Sequence, residues 1–145
     1  MNRAQRATTD NLGFLLAKAS KRWNELLAER FAERGFSEVR PSYGSVLVPL
    51  LEEDGLRMGD LASRSRVSKQ TMTTLVRLAE RDGLVARRRD LDDGRATRVH
   101  LTDRAKAFRP IAEDTLAELD ERVEERLGAS HAKALPRALK EVMSL

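Results

Sequence analysis

Apart from its charged residues, this sequence offers few side chains that do chemistry. Its 145 residues include two histidines, His100 and His131, and no cysteine. The lack of cysteine excludes thiolate chemistry and a disulfide framework, and it fits a reducing cytoplasm. The histidines fall in different predicted elements, and acidic pairs such as Glu52–Glu53 are typical of solvated helix faces. We therefore expect no enzyme activity, no metal site and no cofactor.

The basic side chains are concentrated in one segment. The chain carries 27 basic and 23 acidic residues, of which residues 64–98 hold 10 basic and 5 acidic ones. The whole positive surplus therefore lies in that segment, as expected for a surface that contacts phosphates. An arginine-rich surface that serves only solubility is the alternative.

The same segment has the order of a helix-turn-helix. A short helix is predicted from Met58 to Arg64, and a second helix opens at Ser68, a good N-cap, and closes near Gly83. Apolar residues recur at helical spacing and predict a buried stripe made of Met72, Leu75, Val76 and Ala79. Side chains that hydrogen-bond or carry charge fall largely off that stripe; they are Ser68, Lys69, Gln70, Thr71, Thr73, Thr74 and Arg77.

A basic hairpin is predicted directly after the second helix. Residues 87–89 are three arginines, and Asp93-Gly94 is a strong turn dipeptide. On the return strand Thr97, Val99 and Leu101 share one face, while Arg98 and His100 share the other. An ordinary solvated hairpin is the alternative, but the position after a helix-turn-helix favours a wing.

This ordered set resembles the DNA-binding domain of the MarR family of bacterial transcription regulators. The resemblance is carried by residues 59–62, 67–68, 83–85, 93–95 and 101–102. It implies a mainly α fold with a small β-wing, a winged helix-turn-helix with terminal dimerisation helices. Residues 1–145 would form a single domain, with a DNA-binding lobe at 41–102 and dimerisation helices at 10–36 and 103–145.

The resemblance also implies a function and site roles. The expected protein is a cytoplasmic homodimeric repressor that reads near-palindromic double-stranded DNA, with the residues from Ser68 to Arg77 named above in the major groove. Arg95 corresponds to a wing-tip arginine in the minor groove, and Asp93 to the aspartate that braces it. Arg88, Arg89 and Arg98 are predicted to contact phosphates.

The family often binds small aromatic ligands, and this chain has four aromatic residues that could line such a site. Packing in the core is the alternative for all four, which are Trp23, Phe31, Phe36 and Tyr43. A winged helix that serves as an RNA-binding or protein-interaction module, without operator specificity, is the alternative function. The operator, the regulated genes and the effector are not readable from the sequence.

Helices are predicted on both sides of the DNA-binding lobe. Residues 1–9 form a polar arm, Asp10 caps a helix that ends near Gly35, and Pro41 starts a helix over residues 42–53 that contains Pro49. No apolar run approaches the length of a membrane span, and no signal-peptide core is present.

After the wing, Thr102 is the predicted N-cap of a helix over residues 103–127 that contains Pro110. Gly128 breaks that helix. Ser130 is the predicted cap of the last helix, with Pro136 in or near its first turns. Because the terminal helices carry more apolar stripe than one small winged unit covers, we expect a second copy to cover the rest.

Overall fold

A computed structural model describes residues 8–145, so residues 1–7 of the predicted polar arm lie outside the described part. The fold is mainly helical with one small sheet, as predicted. In chain order the elements are helix α1 (Leu12–Glu33), a 3₁₀ turn (Pro41–Tyr43), α2 (Gly44–Glu52), β1 (Leu56–Arg57), α3 (Met58–Arg64), α4 (Lys69–Arg81), β2 (Val85–Arg89), β3 (Thr97–Leu101), α5 (Asp103–Leu127) and α6 (Ala129–Met143).

The chain forms two compact units that divide within α5, between Arg109 and Pro110. The first unit holds the helix-turn-helix and the sheet. The second consists of the rest of α5 and α6, and none of the α6 side chains is buried. No helix within residues 8–145 is long and apolar enough to cross a membrane.

The three strands form an antiparallel sheet in the order β1-β3-β2. Strands β2 and β3 pair from Val85 opposite Leu101 to Arg89 opposite Thr97, which confirms the predicted wing hairpin. On the other side of β3, Leu56 of β1 lies opposite Val99. Strand β1 was not predicted, because two residues show no alternation.

The buried face of α4 anchors the core of the first unit. Met72, Val76 and Ala79 are fully buried, which confirms most of the predicted stripe, while Leu75 is half-buried. Fully or almost fully buried residues from the neighbouring elements complete this core; they include Tyr43, Val46, Leu50, Leu61, Leu84 and Val99.

Helices α1, α3 and α4 end in the same backbone motif. In α3 the N–H of Val67 donates to the carbonyl of Ala62 (3.1 Å), five residues earlier, which is the 6→1 hydrogen bond of a Schellman motif. The residue after the cap has positive φ in all three helices: 90° at Gly35, 80° at Gly83 and 56° at Arg66. The predicted stops at the two glycines are confirmed. Arg66 is strained, because a Cβ disfavours this conformation.

The predicted start of α1 was wrong. The cap is Asn11, whose Oδ1 accepts the N–H groups of Gly13 (2.9 Å) and Phe14 (3.3 Å), because it stands one residue closer to the helix than Asp10. The helix predicted over 42–53 is a 3₁₀ turn that begins at Pro41, followed by α2 with Pro49 inside it.

The predicted start of α6 was also wrong. Gly128, at φ 85°, is the N-cap, so the helix begins at Ala129 and Ser130 lies within it. Pro136, predicted in or near the first turns of this helix, is its eighth residue. The start of α5 agrees with the sequence, since the Thr102 hydroxyl oxygen accepts the N–H of Ala105 (3.3 Å).

Candidate nucleic-acid interface

The first turn of α4 is fixed by its own side chains. Ser68 is the N-cap: its Oγ accepts the N–H of Thr71 (3.0 Å) and lies 2.9 Å from the Thr71 hydroxyl. This arrangement satisfies one of the amide groups that every helix leaves unpaired at its start. The start of the predicted recognition helix is therefore defined by local hydrogen bonds.

The side of α4 away from the core is polar and reaches solvent. Lys69, Gln70 and Arg77 are exposed, as are Ser68, Thr71 and Thr74. The hydroxyl of half-buried Thr73 donates to the Lys69 carbonyl (2.8 Å), and that of Thr74 donates to the Gln70 carbonyl (3.1 Å). The long side chains at 69, 70 and 77 are thus the ones that extend furthest from the helix.

The wing turn is organised by Asp93. Its carboxylate accepts the backbone N–H of Arg95 (3.0 Å), and its carbonyl accepts the N–H of Ala96 (3.0 Å). The aspartate therefore braces the main chain at Arg95, and the Arg95 side chain is exposed. Asp93 itself, like Arg88 and Arg89, is exposed as well.

A carboxylate at the end of α4 joins the helix to the wing. Glu80 Oε1 accepts from Arg87 Nε (3.1 Å) and Nη2 (2.9 Å), and Oε2 accepts the Arg87 backbone N–H (3.1 Å). These hydrogen bonds lower the pKa of Glu80. Such a two-pronged contact restrains orientation as well as distance.

A basic hollow lies where the end of α4 meets the wing. It measures about 450 Å³, and its lining combines one residue of α4 with residues of both wing strands and their turn. The lining residues are Glu80, Arg87, Arg88, Arg89, Gly94, Arg95, Ala96 and Thr97. Three exposed arginines (88, 89 and 95) therefore share one concave surface with Glu80 at the C-terminal end of α4.

Arg98 is not among the lining residues of the hollow, although it lies opposite Arg88 in the pairing of β2 with β3. Its Nη1 donates to the Gly55 carbonyl (2.8 Å), and its Nε is 3.2 Å from Asp90 Oδ2. Arg57 approaches the same oxygen, with Nε at 2.8 Å. Arg98 therefore takes part in an ionic cluster at the base of the wing, and its predicted phosphate contact would be made from within that cluster.

The same C-terminal end of α4 is also tied to the 3₁₀ turn, through its C-cap residue Asp82. The Tyr43 hydroxyl donates to the Asp82 carboxylate, which Arg81 Nε also approaches at 3.2 Å. The hydrogen bond from Tyr43, followed by that from Arg81, lowers the pKa of Asp82. Burial, followed by the bond to Asp82, raises the pKa of Tyr43.

The aromatic residues proposed for an effector site are largely packed against protein. Phe31 makes an edge-on contact with Phe108, with ring centroids 4.7 Å apart, and Phe36 lies 5.3 Å from the same ring. Tyr43 is fully buried, and Trp23 is half-buried. A groove of about 570 Å³ runs between α1 and the 3₁₀ turn, and these four residues are not among its lining residues.

Sequence reasoning missed the residues that hold the parts together, chiefly Asp90, Arg57 and Glu80. Each lies near a recognised motif, but its partner is fixed only by the strand register and the packing of α4. Among residues 8–145, no group of three or more histidine, cysteine, aspartate or glutamate residues is placed to hold a metal ion.

Comparison with known proteins identifies the family. A profile described as the MarR family matches residues 37–96. The chain is 34% identical over 95 residues to the HTH-type transcriptional repressor Rv2887 of Mycobacterium tuberculosis, a match that covers 66% of this chain and 68% of the repressor. It is 37% identical over 90 residues to the repressor YetL of Bacillus subtilis, covering 61% of this chain and 52% of YetL.

A solved structure shows the same fold over almost the whole chain. The transcriptional repressor CouR, bound to a 23-mer DNA duplex, covers 99% of this chain and 98% of its own, with a TM-score of 0.79 and 24% identity. The fold and the basic surface define a winged helix-turn-helix protein. The chain belongs to the MarR family, a family of transcription regulators and not of enzymes.

Proposed function

We propose that this protein is a homodimeric repressor that binds a near-palindromic operator in double-stranded DNA. The observation that carries the proposal is the hollow in which Arg88, Arg89 and Arg95 of the wing meet the end of α4. The buried stripe of α4 also leaves the polar side of that helix exposed to solvent. A helix in the major groove with a basic wing beside it is a known way to read DNA.

The exposed residues of α4 have the chemistry to read bases. Gln70 suits adenine, and Lys69 or Arg77 suits guanine or a phosphate. Arg95 suits a narrow, A·T-rich minor groove, whose enhanced negative potential attracts arginine. Arg88 and Arg89 supply phosphate contacts, which add affinity without reading sequence.

The terminal helices support the homodimer. In α6, Leu135, Leu139 and Val142 recur at intervals of four and three, and each is 37–40% exposed. In α1, Leu12 and Leu15 are also exposed, at 56% and 46%. Apolar stripes of this kind are removed from water when a second copy covers them. The two-fold axis of a dimer would set the recognition helices about 34 Å apart, one turn of DNA.

We further propose a small aromatic effector and action in the cytoplasm, where a regulator meets chromosomal DNA. The candidate place for such a ligand is the open groove of about 570 Å³ between α1 and the 3₁₀ turn. Lys21 and Asn24 in its lining would supply a cation and an amide to a polar group on such a ligand.

The test is a titration of purified protein against the DNA upstream of its own gene and against a scrambled duplex, at two salt concentrations. We expect a strong preference for the upstream duplex, with two chains bound per site. Equal and steeply salt-dependent binding to both duplexes would contradict operator recognition at that site and indicate phosphate attraction alone. Competition by structured RNA as effective as that by duplex DNA would favour an RNA-binding module instead.

A further inference from the structure

A buried carboxylate stands at the base of the wing, outside the set of residues assigned above to DNA. The side chain of Asp90 is 2% exposed, at the end of β2. Its Oδ1 accepts the N–H of Asp92 (3.0 Å), and its own N–H donates to the Ala96 carbonyl (3.0 Å). Asp90 thus closes the wing turn from both its side chain and its main chain.

The second carboxylate oxygen of Asp90 faces two cations. Oδ2 lies 2.8 Å from Arg57 Nε and 3.2 Å from Arg98 Nε, while no well-aligned hydrogen bond reaches it within the described residues. Attraction to two positive charges therefore compensates the burial of this oxygen. The side chains of the two arginines are 42% and 38% exposed, so both also reach the solvent.

These three residues belong to different parts of the DNA-binding unit. Arg57 is the last residue of β1 and the residue that precedes the first turn of α3. Arg98 lies in the central strand β3, and Asp90 opens the turn that carries Arg95. One carboxylate consequently connects the entrance of the helix-turn-helix, the sheet and the wing turn.

We propose that Asp90 is a positioning residue for DNA binding, which holds the wing turn and the Arg57–Arg98 pair in place against the helix-turn-helix. The inference rests on the proposed DNA-binding function and deepens it. Asp90 touches no DNA in this scheme and acts through the three arginines at 57, 95 and 98.

On this proposal, removal of Asp90 changes the affinity for DNA in the direction opposite to that expected from net charge alone. An aspartate on a surface that meets phosphates repels them, so its removal should strengthen binding. Asp90 is buried and paired with two cations, so its removal should instead release the wing turn and weaken binding. Asp92, two residues away and exposed, provides the matched control, because Asp92→Asn changes the net charge by the same amount.

The experiment compares Asp90→Asn and Asp92→Asn in the full-length chain. The probe is a duplex that the wild-type protein selects from a random-sequence pool, titrated at several salt concentrations below the melting temperature of every variant. We expect Asp90→Asn to bind about tenfold or more weakly, with a salt slope shallower by about 1 as a phosphate contact is lost. Asp92→Asn should bind as tightly as the wild type or more tightly, with an unchanged slope.

A folded Asp90→Asn protein that binds as well as Asp92→Asn would overturn the inference and leave the proposed function intact. An affinity loss without a change of slope would likewise overturn it, because a purely structural role does not alter the number of phosphate contacts. If Asp90→Asn does not fold, Arg98→Lys replaces it: charge is retained, the contact with Gly55 is lost, and weaker binding is expected. A wild-type protein that selects no duplex would refute the proposed function and the inference together.

Discussion

Arg66, between α3 and α4, has a left-handed backbone conformation whose cost in folding stability can be measured by substitution. Arg66 has φ 56° at a position where α1 and α4 use glycine. For a residue with a Cβ the left-handed conformation costs about 1–2 kcal/mol. Glycine, in turn, lowers the free energy of unfolding by about 0.4–1 kcal/mol, because it gives the unfolded chain more conformational freedom. The balance predicts that glycine at position 66 is more stable than alanine there by about 0.5–1 kcal/mol.

The assay is urea unfolding of Arg66→Gly and Arg66→Ala at one protein concentration, because a dimer makes stability depend on concentration. Both variants lose the arginine side chain, but only glycine loses the Cβ. We therefore expect Arg66→Gly to be more stable than Arg66→Ala by about 1 kcal/mol, which corresponds to roughly 2–4 °C in Tm for a chain of this size.

The reciprocal change supplies the control. A Cβ on Gly83 would meet no atom within 4 Å, so Gly83→Ala introduces the φ penalty without a clash. It should destabilise the protein by about 1 kcal/mol. If Arg66→Gly is no more stable than Arg66→Ala while Gly83→Ala is destabilised, the strain assigned to Arg66 is wrong.

Three further predictions concern the wing, the sheet and the sole tyrosine. Arg95→Ala should weaken operator binding by about 1–3 kcal/mol and relax the preference at the base pairs under the wing, and unchanged binding at fixed salt would remove Arg95 from the interface. Gly55→Ala should lower the melting temperature, because its Cβ would meet His100 Cε1 at 2.9 Å and because φ is +73°; His100→Ala should recover part of that loss. The raised pKa of Tyr43 stabilises the fold below its unfolded pKa of about 10, and this stabilisation is lost as pH rises through the folded pKa. Phenolate absorbance should therefore titrate at higher pH in folded than in urea-unfolded protein, and a common midpoint would contradict the burial of the hydroxyl.

The sequence predicts those features that depend on neighbouring residues. The cap at Ser68, the turn at Asp93-Gly94 and the stop at Gly83 are each determined within a few residues, and the structure has all three. The buried stripe of α4 follows from helical periodicity alone. The sequence does not decide between adjacent polar residues: Asn11 rather than Asp10 caps α1, and both residue types have a side-chain oxygen able to cap a helix.

The features that the sequence does not predict depend on distant pairing. Three aspartates occupy positions 90, 92 and 93, and only the strand register buries the first of them. Its partners Arg57 and Arg98 come from strands β1 and β3, and the segment contains many other arginines with the same charge. Nothing in the local sequence distinguishes the first aspartate from the other two. The ionic cluster therefore could not be predicted without the three-dimensional structure.

The pairing of β1 with β3 has a consequence for local opening motions. Leu56 and Val99 lie at the two ends of the segment that contains α3, α4 and β2, so their pairing closes this segment into a loop. The wing hairpin joins residues close in sequence and can open at its tip without disturbing that closure. In native-state hydrogen exchange, we expect the backbone amides in the paired strands β1 and β3 around Leu56 and Val99 to exchange only when the whole unit unfolds. Amides near Arg89 and Thr97 should exchange earlier, which would let the wing adjust to DNA while the helix-turn-helix stays intact.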